Sequence, residues 1–198
     1  MIRSRGSKKT RNSSMRADVT EALTRALFDE WAARGLSALS LEAVARRAGV
    51  GKAALYRRWS CKLDMVKDRL YTVGLTITEV DDQGSLHGDV LAFLFVVRRL
   101  FRHPLLKRIV ADIHAEQTRN PEVREMLESF QLERRKRMDC VLSRAIERGE
   151  LRTNPNLELM KDILASPLYW REIVLQKRIN KADVHNLADA LCAALKAL

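Results

Sequence analysis

Apolar residues recur along this chain every three or four positions, the spacing of one helix face. Val19, Leu23, Leu27 and Trp31 form the first stripe and predict a helix over 15–34, stopped by Gly35. Ser40 is placed to cap a second helix, with Glu42 in its first turn. Val44, Ala48, Val50 and Leu55 then lock two short helices together across a tight turn. Ala45 is small where those helices nearly touch, and Gly49 supplies the positive φ of the turn. A fourth helix is expected from Cys61 and Lys62 onward, with Asp64 in its first turn and Val66 and Leu70 facing inward. Residues 74–80 are rich in β-branched side chains, but no partner strand is visible, so they are read as the end of that helix.

The downstream pattern stays helical. After a polar break at 81–85, helices are predicted over 86–101, 105–118, 121–149, 157–178 and 182–198. His103-Pro104 separates the first two. Pro121 suits a first helical turn, and Pro167, lacking an N–H, predicts a kink. No internal repeat is present. The fold class is therefore all-α.

The segment from Ser40 to Lys62 has the form of a helix-turn-helix: apolar positions inside and Arg46, Arg47, Lys52, Arg57 and Arg58 outside. A cationic surface on such a unit suits duplex DNA. The Ala45-x3-Gly49-x5-Leu55 spacing is common among helix pairs. The continuation Leu55-Tyr56-Arg57-Arg58-Trp59-Ser60-Cys61-Lys62 is much rarer. With it, residues 15–66 closely resemble the DNA-binding domain of the TetR family of bacterial transcriptional regulators. The stretches at 148–152 and 166–171 also look like that family's regulatory domain.

The resemblance implies an N-terminal three-helix DNA-binding domain with a helix-turn-helix at 15–62, followed by a helical ligand-binding and dimerisation domain at 63–198. It implies a homodimeric repressor whose recognition helices enter successive major grooves of a palindromic operator. A small molecule in the C-terminal domain then shifts their separation and DNA is released. A ligand does this only by binding the two states with different affinity. Lys52 is the chief candidate for base contact, with Ala53 against a thymine methyl. Ser40 is a candidate phosphate contact, and Tyr56, Arg57 and Lys62 match the family's phosphate-contacting positions; Arg47 and Gly51 complete the set. Leu55 and Trp59 read as core. Gly51 and Ala54 stand where the family often has Ser and Thr, removing two hydroxyls, so readout is expected to rest on Lys52 and DNA shape. Ile163, Leu164, Leu168, Val184, Leu187, Leu191 and Leu195 are the expected dimer interface. The expected ligand is a small hydrophobic molecule, lined by Phe93, Ile113 and Phe130 and anchored by His114, Gln117 and Tyr169.

Charge supports the DNA reading independently. Residues 1–62 hold 14 Lys and Arg against 5 Asp and Glu, and residues 63–198 hold 22 against 20. The excess lies in the reading head, where it attracts phosphates in a salt-dependent way. Residues 1–14, basic and without apolar periodicity, read as a disordered tail that is either a solvated leader or a minor-groove arm. They lack the apolar run of a signal peptide, and no stretch is long and apolar enough for a membrane span. Cys61, Cys140 and Cys192 are far apart, as expected of reduced thiols in a cytoplasmic, nucleoid-associated protein. Cys61, at a helix start, reads as a substitute for a capping Ser.

Catalysis, a cofactor and a metal find no support. His87, His103, His114 and His185 are scattered. Asp112, His114 and Glu116 are spaced by two, which turns them to different helix faces. The basic run Arg134-Arg135-Lys136-Arg137, with Glu128 and Glu133 nearby, reads as a solvated helix face. Two other classes stay open: a constitutive DNA-binding or architectural protein, which a solid C-terminal core would favour, and a small helical enzyme.

Overall fold

The computed structural model describes residues 6–76, 79–153 and 156–198, with side chains from residue 17 onward. Its elements are α1 (Gly6–Arg34), α2 (Leu41–Arg47), α3 (Lys52–Tyr56), α4 (Lys62–Thr76), α5 (Leu86–Arg102), α6 (Pro104–Glu116), α7 (Pro121–Glu147), α8 (Leu157–Tyr169), a π-helical turn (Trp170–Val174) and α9 (Lys181–Ala197). No strand occurs among the described residues. The chain forms two compact units, 1–69 and 70–198. The boundary falls within α4, seven residues beyond the one expected at 62/63.

In the first unit Leu23, Leu27 and Trp31 are fully buried, joined by Leu36, Leu39, Val44, Leu55, Met65 and Val66. Gly35 ends α1 at φ 78°. The helix begins at Gly6, not near residue 15, so residues 6–14 of the expected disordered tail are helical; residues 1–5 lie outside the described ones. The stretch has no proline, and once the buried stripe has nucleated α1 each added residue closes another backbone bond. Ser40 caps α2 by accepting from the Ala43 amide. Ala45 is buried, and Gly49 takes φ 65° where the chain turns into α3. Buried Trp59 donates its indole N–H to Asp68 at 2.7 Å, under the Arg69 guanidinium. Cys61 Sγ accepts the Asp64 amide at 3.5 Å and so caps the start of α4.

The second unit is built around α5, which packs against α6, α7, α8 and α9. Its N-terminus is pinned by buried charge. Asp89 accepts from the Gln83 amide and from Arg148 at 2.8 Å, and Glu150 accepts the Leu86 amide at 2.9 Å. The Asp89 and Glu150 carboxylates hold the Arg148 guanidinium well above its ordinary pKa.

Three expectations are corrected here. First, α4 stops at Thr76; Glu79 and Val80 are irregular, while 77 and 78 lie outside the described residues. Gly74 and the β-branched Thr72, Val73 and Thr76 weaken its last turns. Second, α8 does not reach residue 178. Pro167 has no N–H to donate to the carbonyl four residues back, and the chain widens into a π turn in which the Leu175 amide reaches the Trp170 carbonyl at 2.8 Å. Buried Glu172 in that turn accepts the Ile179 amide at 3.0 Å and steers the chain into α9.

Third, Leu164, Leu168, Val184, Leu191 and Leu195, expected at a dimer face, are core residues of this unit. All five are buried within the unit, because α5 covers that side of α8 and α9. Only Ile163 and Leu187 of the expected set retain partial exposure.

Candidate nucleic-acid interface and ligand cavity

The α2–α3 pair presents a short helix whose first residues, Gly51, Lys52 and Ala53, are exposed. Behind them Leu55 and Trp59 are buried, as the sequence predicts. Around them Arg46 and Arg57 are exposed and make no ion pair among the described residues. Gly51 is the N-cap of α3, at φ −64° and ψ 140°, and offers no side-chain cap.

The remaining predicted contacts are already engaged. Tyr56, nearly half exposed, donates its hydroxyl to Glu42 Oε1 at 2.7 Å, and Ser40 donates to Glu42 Oε2 at 3.0 Å. The Tyr56 hydroxyl, the Glu42 backbone and Ser40 hold the Glu42 carboxyl below its ordinary pKa. The same bond raises that of Tyr56, since losing its proton would set two anions together. Arg47 reaches back to buried Glu30, with N–O distances of 2.8 and 3.1 Å, and so fastens α2 to α1 beside Arg34. Lys62 Nζ donates to the Leu36 and Ser37 carbonyls at 2.8 and 2.9 Å. It ties the end of α1 to the start of α4 and keeps one donor for a phosphate.

In the second unit a cavity of about 360 Å³ opens among α5, α7 and α8, lined by Phe93, Val97, Phe101, Gln131, Arg134 and Met138 among others. An adjoining lobe of about 130 Å³ is lined mainly by apolar residues, including Leu106, Ile109, Ile113, Leu127 and Phe130. His114 and Tyr169 border both, their rings edge-on at 5.6 Å. Of the six predicted pocket residues, Gln117 lines neither. It donates instead to His114 Nδ1 at 2.9 Å, which leaves Nε2 as the ring N–H. Burial and then the Arg134 charge lower the His114 pKa, so the ring is neutral near pH 7.

The basic run at 134–137 is not the solvated face expected. Arg135 pairs with Glu158 and Asp162, and Arg137 with Glu79. Arg134 turns into the cavity, and only Lys136 is largely in water. Among the described residues no group of His, Cys, Asp and Glu is arranged to hold a metal, and no helix is long and apolar enough to cross a membrane.

Residues 23–68 match the family described as bacterial regulatory proteins, tetR family, and residues 80–191 match that described as tetracyclin repressor-like, C-terminal domain. The chain belongs to the TetR family. It is 26% identical over 167 residues to the HTH-type transcriptional regulator YdeS of Bacillus subtilis, covering 84% of each chain. It is also 26% identical over 190 residues to the DNA-binding transcriptional repressor TetR of Mycobacteroides abscessus, covering 94% of each. The crystal structure of the TetR family regulator SCO0332 superposes with a TM-score of 0.69 at 22% identity, over 89% of this chain and 97% of that one.

This TetR-family regulator thus carries a helix-turn-helix head and a helical C-terminal unit with a cavity. Sequence reading missed Gln131, Arg134 and Met138 in the cavity wall. Arg134 had a signal: it lies four residues after Phe130 and seven after Leu127, on the buried stripe that continues through Met138 and Val141.

Proposed function

We propose that the protein is a homodimeric repressor that binds a palindromic operator through α2 and α3 and is released by a small, mainly apolar molecule in the cavity of residues 70–198. The exposed cationic start of α3 carries the DNA half of this reading. Lys52 reads a base edge, Ala53 meets a thymine methyl, and Arg46, Arg57 and the free donor of Lys62 meet phosphates. Ser40 and Tyr56 act through Glu42, which orients them, and exchange it for phosphate on binding. The cavity carries the ligand half. Its 360 Å³ lobe falls in the range of small-molecule sites, and its wall is mostly apolar with a few polar groups. A constitutive DNA-binding protein with a solid core has no use for such a space.

The dimer face is the outer stripe of α8 and the π turn, Leu159, Ile163, Trp170 and Val174, with Leu187 of α9. Leu159, Trp170 and Val174 are exposed apolar side chains spaced along one helix face. The protein acts in the cytoplasm, where its DNA is.

The test starts with selection of bound duplexes from random DNA by the full chain. A palindromic consensus, and release of that duplex by at least one apolar compound, is the expected result. Sequence-blind binding, or a single half-site bound by a monomer in sedimentation, defeats the proposal.

A further inference from the structure

We infer that the cavity selects an anionic ligand, an apolar acid whose carboxylate is taken by Arg134; this rests on the cavity being the regulatory ligand site. Arg134 lines both lobes. Its Nε is buried with no hydrogen-bond partner, and among the described residues no carboxylate lies within ion-pair distance of it. The guanidinium carbon lies over the Phe130 ring, 5.9 Å from its centroid. The other arginines of the same run both have carboxylates of their own. The cavity's own carboxylate, Asp162, is held by Arg135 at 2.6 Å, and Lys161 in the wall is paired with Asp139 and Glu158.

The side chain as a whole is half-buried, but a guanidinium with a buried, unpartnered Nε and no carboxylate beside it is costly to hold. Desolvation pushes the Arg134 pKa down, but a guanidinium starts so high that it keeps its proton. Its field is felt across the cavity, where it helps to hold His114 neutral. The counter-ion must come from outside the chain. A planar guanidinium fork matches a carboxylate in two parallel hydrogen bonds. Around it Phe93, Val97, Phe101, Ile113 and Leu127 leave room for a hydrophobic body of one or two rings or a medium alkyl chain.

The experiment titrates the full chain with 2-naphthoate, 4-phenylbutyrate and octanoate, each against its neutral amide, by calorimetry and thermal denaturation, with release of the selected duplex followed in parallel. The acids are expected to bind at least about tenfold tighter than their amides, a difference of about 1.4 kcal/mol. Arg134→Met and Arg134→Gln should erase that preference while leaving amide binding in place, and Arg134→Lys should keep part of it. Without any ligand, Arg134→Met should raise the melting temperature, because the uncompensated charge is gone. Equal binding of acids and amides overturns the proposal, as does an acid preference that survives in Arg134→Met or Arg134→Gln. A folded Arg134→Met that melts lower also overturns it. If amides bind and release DNA with no acid preference, the anion inference alone fails; if neither acids nor amides bind, the ligand reading fails with it.

Discussion

The reading head and the regulatory unit treat positive charge in opposite ways. The head holds most of the chain's excess cations and leaves Arg46 and Arg57 in water with no carboxylate beside them. The regulatory unit is close to neutral and spends nearly every buried or bridging cation on a carboxylate: Arg148 on Asp89 and Glu150, Arg135 on Asp162, Lys161 on Asp139. Arg98 is given instead to the Ile179 carbonyl, and Arg134 departs further, its Nε buried with no partner. Free charge in water costs little and awaits a polyanion. Free charge in an interior is costly, and a protein that keeps it has a use for it. The same residue type, unpaired in two settings, therefore points to two different partners.

The comparison is tested hardest at α8 and the π turn, whose inner side is core and whose outer side is exposed. Leu164→Ala should cost about 2–5 kcal/mol of stability in denaturant unfolding, because it empties a fully packed site in the core of the regulatory unit. Trp170→Glu should leave protomer unfolding nearly unchanged and shift sedimentation toward the monomer. A Leu164→Ala protein that stays stable but becomes monomeric would restore the original assignment of that residue.

Within the head, two arginines ten residues apart should separate into different kinds of loss. Arg47→Ala strips buried Glu30 of one of its two guanidinium partners and should destabilise the head by about 1–3 kcal/mol in chemical denaturation. Arg57→Ala has no ion pair to lose. It should leave unfolding unchanged and lower the salt slope of DNA binding by about one unit, alike for all duplexes. Lys52→Ala should instead cost about 1–3 kcal/mol at one base position. Were Arg47→Ala to lose only DNA affinity, its contact with Glu30 would be incidental.

How much of this was legible follows from what a period reports. The stripe of Leu23, Leu27 and Trp31, the Gly49 turn, the cap at Ser40 and Pro121 in a first helical turn are local, and each is found in place. Five of the expected dimer residues turn out to be core because a helical stripe tells which face is buried, not what buries it, and the α5 that covers them is distant in sequence. The π turn failed because a proline predicts disruption without its form. Lys62 was read from the family resemblance and Arg47 as an exposed basic position; their partners, the Leu36 carbonyl and Glu30, are set by tertiary packing. Arg134 was hidden by its neighbours, since a run of four basic residues looks like a surface until the helical period is applied to each one.

A smaller effect tests whether Glu42 holds the DNA-facing hydroxyls in reserve. Glu42→Gln removes a negative charge from the DNA side and loosens Ser40 and Tyr56, so affinity for all duplexes should rise modestly in anisotropy titrations. The folded carboxyl titrates below its ordinary value of 4.5, so whatever stability it lends is fully present above that pH. It is lost as pH falls through the lower folded value. Glu42→Gln should therefore flatten the acid limb of the head's stability: the variant's deficit is fully present at pH 7 and closes as pH falls through the lower folded value. Weaker DNA binding by Glu42→Gln would make the carboxylate a positioning group and not a placeholder.

The smallest effect concerns the one cap that the head lacks. Gly51 begins α3 with φ −64° and ψ 140°, a conformation open to any residue, and a Cβ added there meets nothing within 4 Å. Glycine is thus not required by the backbone. In Gly51→Ser the hydroxyl can accept from the amides of Ala53 or Ala54, which lie at the second and third positions of the helix. The gain over glycine should be a few tenths of a kcal/mol, raising the melting temperature by about 1–2 °C. The variant also adds a hydroxyl to the exposed start of α3, so affinity for nonspecific duplex should hold or increase slightly. If Gly51→Ser melts higher yet binds every duplex more weakly, the glycine is there for the DNA. A phosphate must then approach the α3 backbone closer than a side chain allows, and the head's readout would rest on its main chain as well as on its cations.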